Sequence, residues 1–148
     1  MSVALLDVNA LLALLWENHK FHARMAHWFA RNQNRGWATC PITQQGFVRI
    51  VSNVAYMKPA PGVRSALDLL QKTTEASINH EFWADDLPLY ALSASVRQHL
   101  QGHNQITDAY LLALAAHRRG RLVTLDYRME ALAPKGSAEY DTLVILRA

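Results

Sequence analysis

A chain of 148 residues, 51% hydrophobic and 18% charged, is long enough to bury one good core and too apolar to be disordered. Its formal charge of +3 permits a polyanionic partner without requiring one. Its single cysteine, Cys40, excludes an intramolecular disulfide and any zinc site built from four cysteines or from two cysteines and two histidines.

The chain begins without the basic segment and small-residue cleavage site of a signal peptide. No run approaches the ~18 apolar residues of a membrane span, so a cytoplasmic protein with no membrane association is expected. Val3–Leu6 is a short apolar run suited to a strand buried on both faces. Asn9 is placed to cap a helix running to Trp16, with Leu11, Leu12, Leu15 and Trp16 on its buried side. A second helix is predicted over 22–34, with Met25, Trp28 and Phe29 on one stripe, stopped by Gly36. Trp37–Cys40 reads as a strand. Pro41 and Thr43 then open a helix whose apolar positions are Phe47, Ile50, Val51 and Val54. Residues 57–62 (MKPAPG) are a loop. Val63–Lys72 returns to helical spacing through Val63, Leu67 and Leu70, and a short strand is expected around Ile78. Leu87–Leu100 reads as a helix. Ile106–Arg119 carries the strongest helical pattern, with Gly120 in the C′ place. Arg121–Leu125 (RLVTL) and Thr142–Leu146 (TLVIL) complete the strands.

About five short apolar strands alternating with six or seven helices predict a three-layer α/β/α sandwich around a mostly parallel sheet. No repeat, linker or low-complexity tract interrupts it, so residues 1–148 are expected to form a single domain.

Ligands of open parallel sheets bind beyond the carboxyl ends of the strands. Asp7 follows the first strand directly, Asp126 follows RLVTL, and Asp108 lies in the first turn of the strongest helix. Each has an ordinary reading: Asp7 as a cap, Asp108 as a favourable charge at a helix N-terminus, Asp126 as a turn residue. Gathered together, three carboxylates repel and raise one another's pKa unless a cation holds them. Their hard oxygens suit Mg²⁺ or Mn²⁺. Asn9, Thr107 and Thr124 stand beside the acids and are candidates to orient a ligand or water, although caps and β-structure account for them equally well. Arg49 and Arg128 are the cations nearest in sequence to the expected site and are candidates for phosphate contact. Arg118, Arg119 and Arg121 gather at the far end of the strong helix, where a helix C-terminus favours cations.

Other constellations carry less. His19 and His22 have a helical spacing but no third ligand for a metal. His103 is a loop residue near the acid-bearing helix. Asp85, Asp86 and Glu17 read as capping or solvated acids, and Cys40 as a small buried hydrophobe. Trp16, Trp28 and Trp37 fall on apolar stretches, whereas Trp83, in EFWADD, is expected to be partly exposed.

The blocks LLDVNALLALLW, CPITQQGFVRI, NQITDAYLLALA and LVTLDYRM, in this order along essentially the whole chain, resemble the signature blocks of the PIN domain family, nearest its VapC-type toxins. The resemblance implies an α/β/α sandwich, a metal-dependent ribonuclease with three or four clustered acids, frequent homodimers, and a small antitoxin that blocks the site. Carried over by residue, Asp7, Asp108 and Asp126 match three of the family's acids. The fourth, usually a glutamate after the second strand, falls on Gln44, which keeps the length and an acceptor oxygen but loses the charge. The resemblance therefore implies an RNA nuclease using Mg²⁺ or Mn²⁺ on three aspartates, with Gln44 lending a neutral oxygen. The alternative is a weakened or inactive binding module.

Overall fold

The computed structural model describes residues 2–147. Five strands, β1 (Ala4–Leu6), β2 (Trp37–Thr39), β3 (His80–Phe82), β4 (Arg121–Thr124) and β5 (Leu143–Ile145), form one sheet in the order β3-β2-β1-β4-β5. Every neighbouring pair is parallel. The expected mostly parallel sheet is thus wholly parallel. The three inner strands, β2, β1 and β4, are buried, whereas the edge strands β3 and β5 are only partly covered.

Alternation along β1 sorts the core into two layers. Leu5 joins Leu122, Val96, Leu111 and Leu114 on one face of the sheet. Ala4 and Leu6 join Leu11, Met25, Phe47 and Val123 on the other. The second layer is roofed by α1 (Val8–Leu15), α2 (His22–Asn32), α3 (Pro41–Val51) and α4 (Val63–Ala76). The first is roofed by α5 (Ala94–His99) and α6 (Ile106–His117). None of the described helices is long and apolar enough to cross a membrane.

Several boundaries differ from the sequence reading. Asp7, not Asn9, caps α1: its side chain accepts from Val8 N at 2.8 Å. The expected strand around Ile78 lies two residues later, where His80, Glu81 and Phe82 pair with β2, and Ile78 itself is 97% exposed. The helix expected over 87–100 breaks into a 3-10 turn at Leu89–Ala91 and α5, because Ser93 starts a new helix by accepting from Val96 N. The helix after β2 ends at Val51, leaving Val54 exposed. On α4, Ala66 and Leu70 face the core while Val63 and Leu67 line an open groove. Trp83 is buried, its Nε1 donating to Glu81 at 2.9 Å with the Arg118 guanidinium over its ring.

The strand order puts β1 and β4 side by side at the middle of the sheet, with the chain leaving β1 towards β2 and arriving at β4 from β3. Crevices form at such reversals. The turn from α6 into β4 is tight: Arg119, not Gly120, takes the left-handed conformation at φ 54°. Gly120 serves a different need, since a Cβ there would lie 2.5 Å from Val3 O and 2.6 Å from the Trp83 ring. Gly120→Ala is therefore expected to cost about 1–3 kcal/mol through overpacking, measured by urea unfolding. Gly102→Ala, where a Cβ meets nothing within 4 Å, is expected to stay within about 0.5 kcal/mol of the parent.

Candidate active site

Asp7 sits where β1 turns into α1. Its backbone N–H continues the sheet by donating to Val123 O at 2.9 Å. Capping α1 turns the carboxylate back towards β4, where Oδ2 accepts the Thr124 hydroxyl at 2.7 Å. The residue is buried, only 5% exposed, and forms no ion pair among the described residues. Burial raises its pKa, the bonds from Thr124 and Val8 pull the other way, and Asp126 adds a further push upward.

Thr124 ties three elements together. A hydroxyl has one proton and two lone pairs. The proton goes to Asp7, and the oxygen accepts Asp126 N at 3.1 Å and Asn9 Nδ2 at 3.2 Å. Asn9 Oδ1 accepts Leu125 N at 3.0 Å. Asn9 thus lies inside α1 and fastens that helix to the end of β4. Two of the three residues singled out as neighbours of the acids, Asn9 and Thr124, form the frame that holds Asp7 and Asp126.

Asp126 starts the 3-10 turn Tyr127–Leu132 and is gripped by Arg128. Arg128 Nε donates to Oδ1 and Nη2 to Oδ2, each at 3.0 Å, and the Arg128 backbone N–H adds a third bond at 3.0 Å. The guanidinium contact is the main cause that holds the Asp126 carboxyl below its ordinary range. Asp108, in the first turn of α6, has no such support. Burial, followed by repulsion from Asp7 and Asp126, pushes its carboxyl up to about 6, against a smaller opposing pull from Arg128.

Asp7, Asp108 and Asp126 line one cleft of about 680 Å³ together with Asn9, Thr107 and Arg49. Thr107 is exposed on its rim. Arg49 projects from α3 and pairs with no carboxylate among the described residues. Sequence reading missed the face that closes the cleft, which comprises Ile42, Gly46 and Ile50 of α3 and Asn53 just beyond its end. The available signal was a glycine within a helical pattern, which marks a close approach: a Cβ on Gly46 would stand 2.6 Å from Val8 Cγ2.

Gln44 is not part of this cleft. Its Nε2 donates to Thr39 Oγ1 at 3.0 Å, which in turn meets His80 Nε2 at 2.8 Å, and the residue lines the apolar groove between α3 and α4 with Val48, Leu67 and Phe82. The α3 positions that line the acid cleft are Ile42, Gly46, Arg49 and Ile50. The site accordingly has three carboxylates, and α3 adds no acid to them. Other candidates lie elsewhere. Asp86 pairs with Arg118 at 3.2 Å, and His22 Nδ1 is taken up by Ala13 O at 2.7 Å, while His19 Nδ1 accepts Phe21 N at 3.1 Å. His103 lies in the 3-10 turn before α6, and Cys40 is buried.

Among the described residues, no three His, Cys, Asp or Glu side chains are gathered closely enough to hold a metal ion together. The donor chemistry nonetheless fits a hard divalent cation. The acids offer oxygens only, they face one cleft, and the repulsion felt by Asp108 has just Arg128 to offset it.

The raised pKa of Asp108 makes it a destabilising charge. With a folded value of about 6 against an ordinary 3.8, the folded chain binds more protons than the unfolded one between those values, so this contribution to stability is lost as pH rises through them. In EDTA, Asp108→Asn is expected to stabilise the fold at pH 7.5 by on the order of 1 kcal/mol, a figure reduced for partial solvent exposure, and to give no comparable gain below pH 4. Urea unfolding at both pH values checks this; an equal shift at the two would contradict it.

Comparison with known proteins agrees with this architecture. Residues 4–135 match the PIN domain family model. The chain is 44% identical over 136 residues to Ribonuclease VapC39 of Mycobacterium tuberculosis, covering 92% of this chain and 97% of the relative. It is 43% identical over 145 residues to Ribonuclease VapC38 of the same organism, covering 96% and 100%. Among solved structures, a chain of a toxin–antitoxin complex from Klebsiella pneumoniae superposes with a TM-score of 0.60 at 18% identity, covering 97% of this chain and 98% of that one. A chain of VapBC2 from Rickettsia felis, bound to a promoter DNA fragment, gives 0.55 at 13% identity, covering 84% and 87%. The superpositions bear on the fold alone, while the family match and the identities settle the lineage: the chain belongs to the PIN domain family.

Proposed function

We propose that this protein is a Mg²⁺-dependent endoribonuclease, with Mn²⁺ as an alternative cation, and the toxin of a toxin–antitoxin pair. The observation that carries the reading is the convergence of Asp7, Asp108 and Asp126 on one cleft at the reversal of the sheet, in a chain over 40% identical to proteins named ribonucleases. Asp7, Asp108 and Asp126 would hold the cation. When bound, it supplies a water of lowered pKa and neutralises charge on the scissile phosphate.

The chain's own residues do the rest. Thr124 aims Asp7 and opposes the upward push of burial on its carboxyl, since its hydroxyl bond favours the charged form. Asn9 keeps the end of β4 and the start of α1 at a fixed separation. Arg128 holds Asp126 charged at neutral pH. Arg49, exposed on the cleft wall, is placed to take a phosphate of the RNA, and Thr107 on the rim offers a hydroxyl to the same strand. No serine or cysteine nucleophile faces the acids among the described residues.

The partners follow from the same reading: an RNA substrate, a small antitoxin, and a second copy of the chain in a cytoplasmic homodimer. The open apolar groove of Val48, Val63, Leu67 and Phe82, which shares Arg49 and Asn53 with the cleft, offers the antitoxin an apolar seat beside the site. One observation favours a second reading. Gly46 leaves α3 without a carboxylate at the cleft, as expected of a binding module with weakened chemistry.

Cleavage of a mixed RNA pool separates the two. Metal-dependent cleavage abolished by EDTA, and reduced at least about a hundredfold by Asp7→Asn, is expected of the nuclease. Gln44→Glu is expected to change that rate less than about threefold, because Gln44 faces a different groove. Silence in both Mg²⁺ and Mn²⁺ would favour the binding module.

A further inference from the structure

Next to the acid cleft, and sharing Asn9 and Asp126 with it, lies a second groove of about 820 Å³. Its walls come from three separate parts of the chain. The turn between α1 and α2 supplies Lys20 and Phe21, with Arg24 from the first turn of α2; the 3-10 turn after β4 supplies Tyr127 and Arg128, and the segment just after β5 supplies Arg147. The lining thus holds four Lys or Arg cations against one carboxylate, Asp126.

Two of those cations are already matched. Arg128 is bound to Asp126, and Arg147 Nη2 lies 2.8 Å from Glu130 Oε1. Lys20 and Arg24 have no carboxylate partner among the described residues. Instead, Lys20 Nζ and the Arg24 guanidinium lie 4.9 and 4.7 Å from the centre of the Phe21 ring. The ring restrains both stems at the groove wall, so a ligand need not order them. Across the groove Tyr127 is 65% exposed, a free aromatic face.

Unmatched cations beside a free aromatic ring, in a groove that opens onto carboxylates, fit a polyanion whose units have flat faces. Single-stranded nucleic acid is such a ligand. An acidic peptide would satisfy the cations but would leave the exposed ring without a matching surface. We propose that this groove binds the stretch of single-stranded RNA next to the cleaved bond, with Lys20 and Arg24 on its phosphates and Tyr127 stacked on a base. The proposal rests on the nuclease reading only for the identity of the strand as RNA and for its continuation into the cleft. It gives the HKFHAR segment (19–24), whose two histidines are used by the backbone around them, a role in holding the substrate.

The test is fluorescence anisotropy of a labelled mixed-sequence 12-mer RNA titrated with the full chain in EDTA, at several salt concentrations. Removing two phosphate contacts with Lys20→Gln and Arg24→Gln together is expected to weaken binding at low salt and to flatten the log–log salt dependence by about 1.4. Both glutamines keep part of the stem over Phe21, and an unchanged unfolding midpoint confirms that the fold is kept. Tyr127→Leu is expected to weaken binding about tenfold with the salt slope unchanged. Arg64→Gln, an exposed cation on α4, is expected to leave both quantities as they are. Unaltered RNA binding in the double variant overturns the proposal, as does a double variant that loses a polyglutamate peptide but keeps RNA. A duplex bound as tightly as the single strand, with Tyr127→Leu silent, overturns the stacking contact. Failure of the nuclease reading looks different: RNA binds in EDTA through these residues, yet no metal produces cleavage.

Discussion

The structure is organised around one buried hydroxyl. Thr124, fully enclosed at the end of β4, gives its proton to Asp7 and takes hydrogen bonds from Asp126 and Asn9. Through that one oxygen the first acid, the last acid and the first helix are fixed relative to the two central strands. A carboxylate as buried as Asp7 is tolerable only when hydrogen-bonded. The bond is possible only because β1 and β4 are adjacent in the sheet, in register from Ala4–Arg121 to Leu6–Val123. The strand order and the site are therefore one constraint seen at two scales.

Within that frame the three acids are held in three different ways. Asp7 is supported by a hydroxyl and a helix N–H, Asp126 by a guanidinium fork, and Asp108 by neither, with only a distant pull from Arg128. The Arg128 fork holds Asp126 low, while burial and then the neighbouring acids push Asp108 up within the same cleft. The surroundings repeat the contrast. The cleft itself is acidic, while its neighbours are an apolar groove on the α4 side and a basic, aromatic one on the α2 side.

Much of this was legible in the sequence because the chemistry stands at the ends of regular elements. Asp7 and Asp126 follow apolar runs directly, and Asp108 opens the strongest helical pattern, so an error of one residue in a boundary would not have hidden them. β3 was harder to place. It is an edge strand whose residues are set by pairing with β2 rather than by hydrophobicity, and the most apolar nearby residue, Ile78, stands outside it in solvent. Gln44 was misplaced for a geometric reason. Residues on a helix are separated by about 100° of rotation, so the two-residue step from Gln44 to Gly46 amounts to about half a turn. That rotation separates the apolar groove from the acid cleft. The basic groove was invisible in the sequence because its walls meet only after folding, from residues about 20, 127 and 147.

The contact between Gly46 and Val8 also bears on how this site can change over time. Any side chain at position 46 meets the stiff, branched Val8 on the neighbouring helix. A lineage of this chain therefore cannot gain an acid there by one substitution; a smaller residue must first replace Val8, leaving a gap between α1 and α3 until the second change fills it. Such a two-step path through a less stable intermediate acts as a ratchet that holds position 46 at glycine.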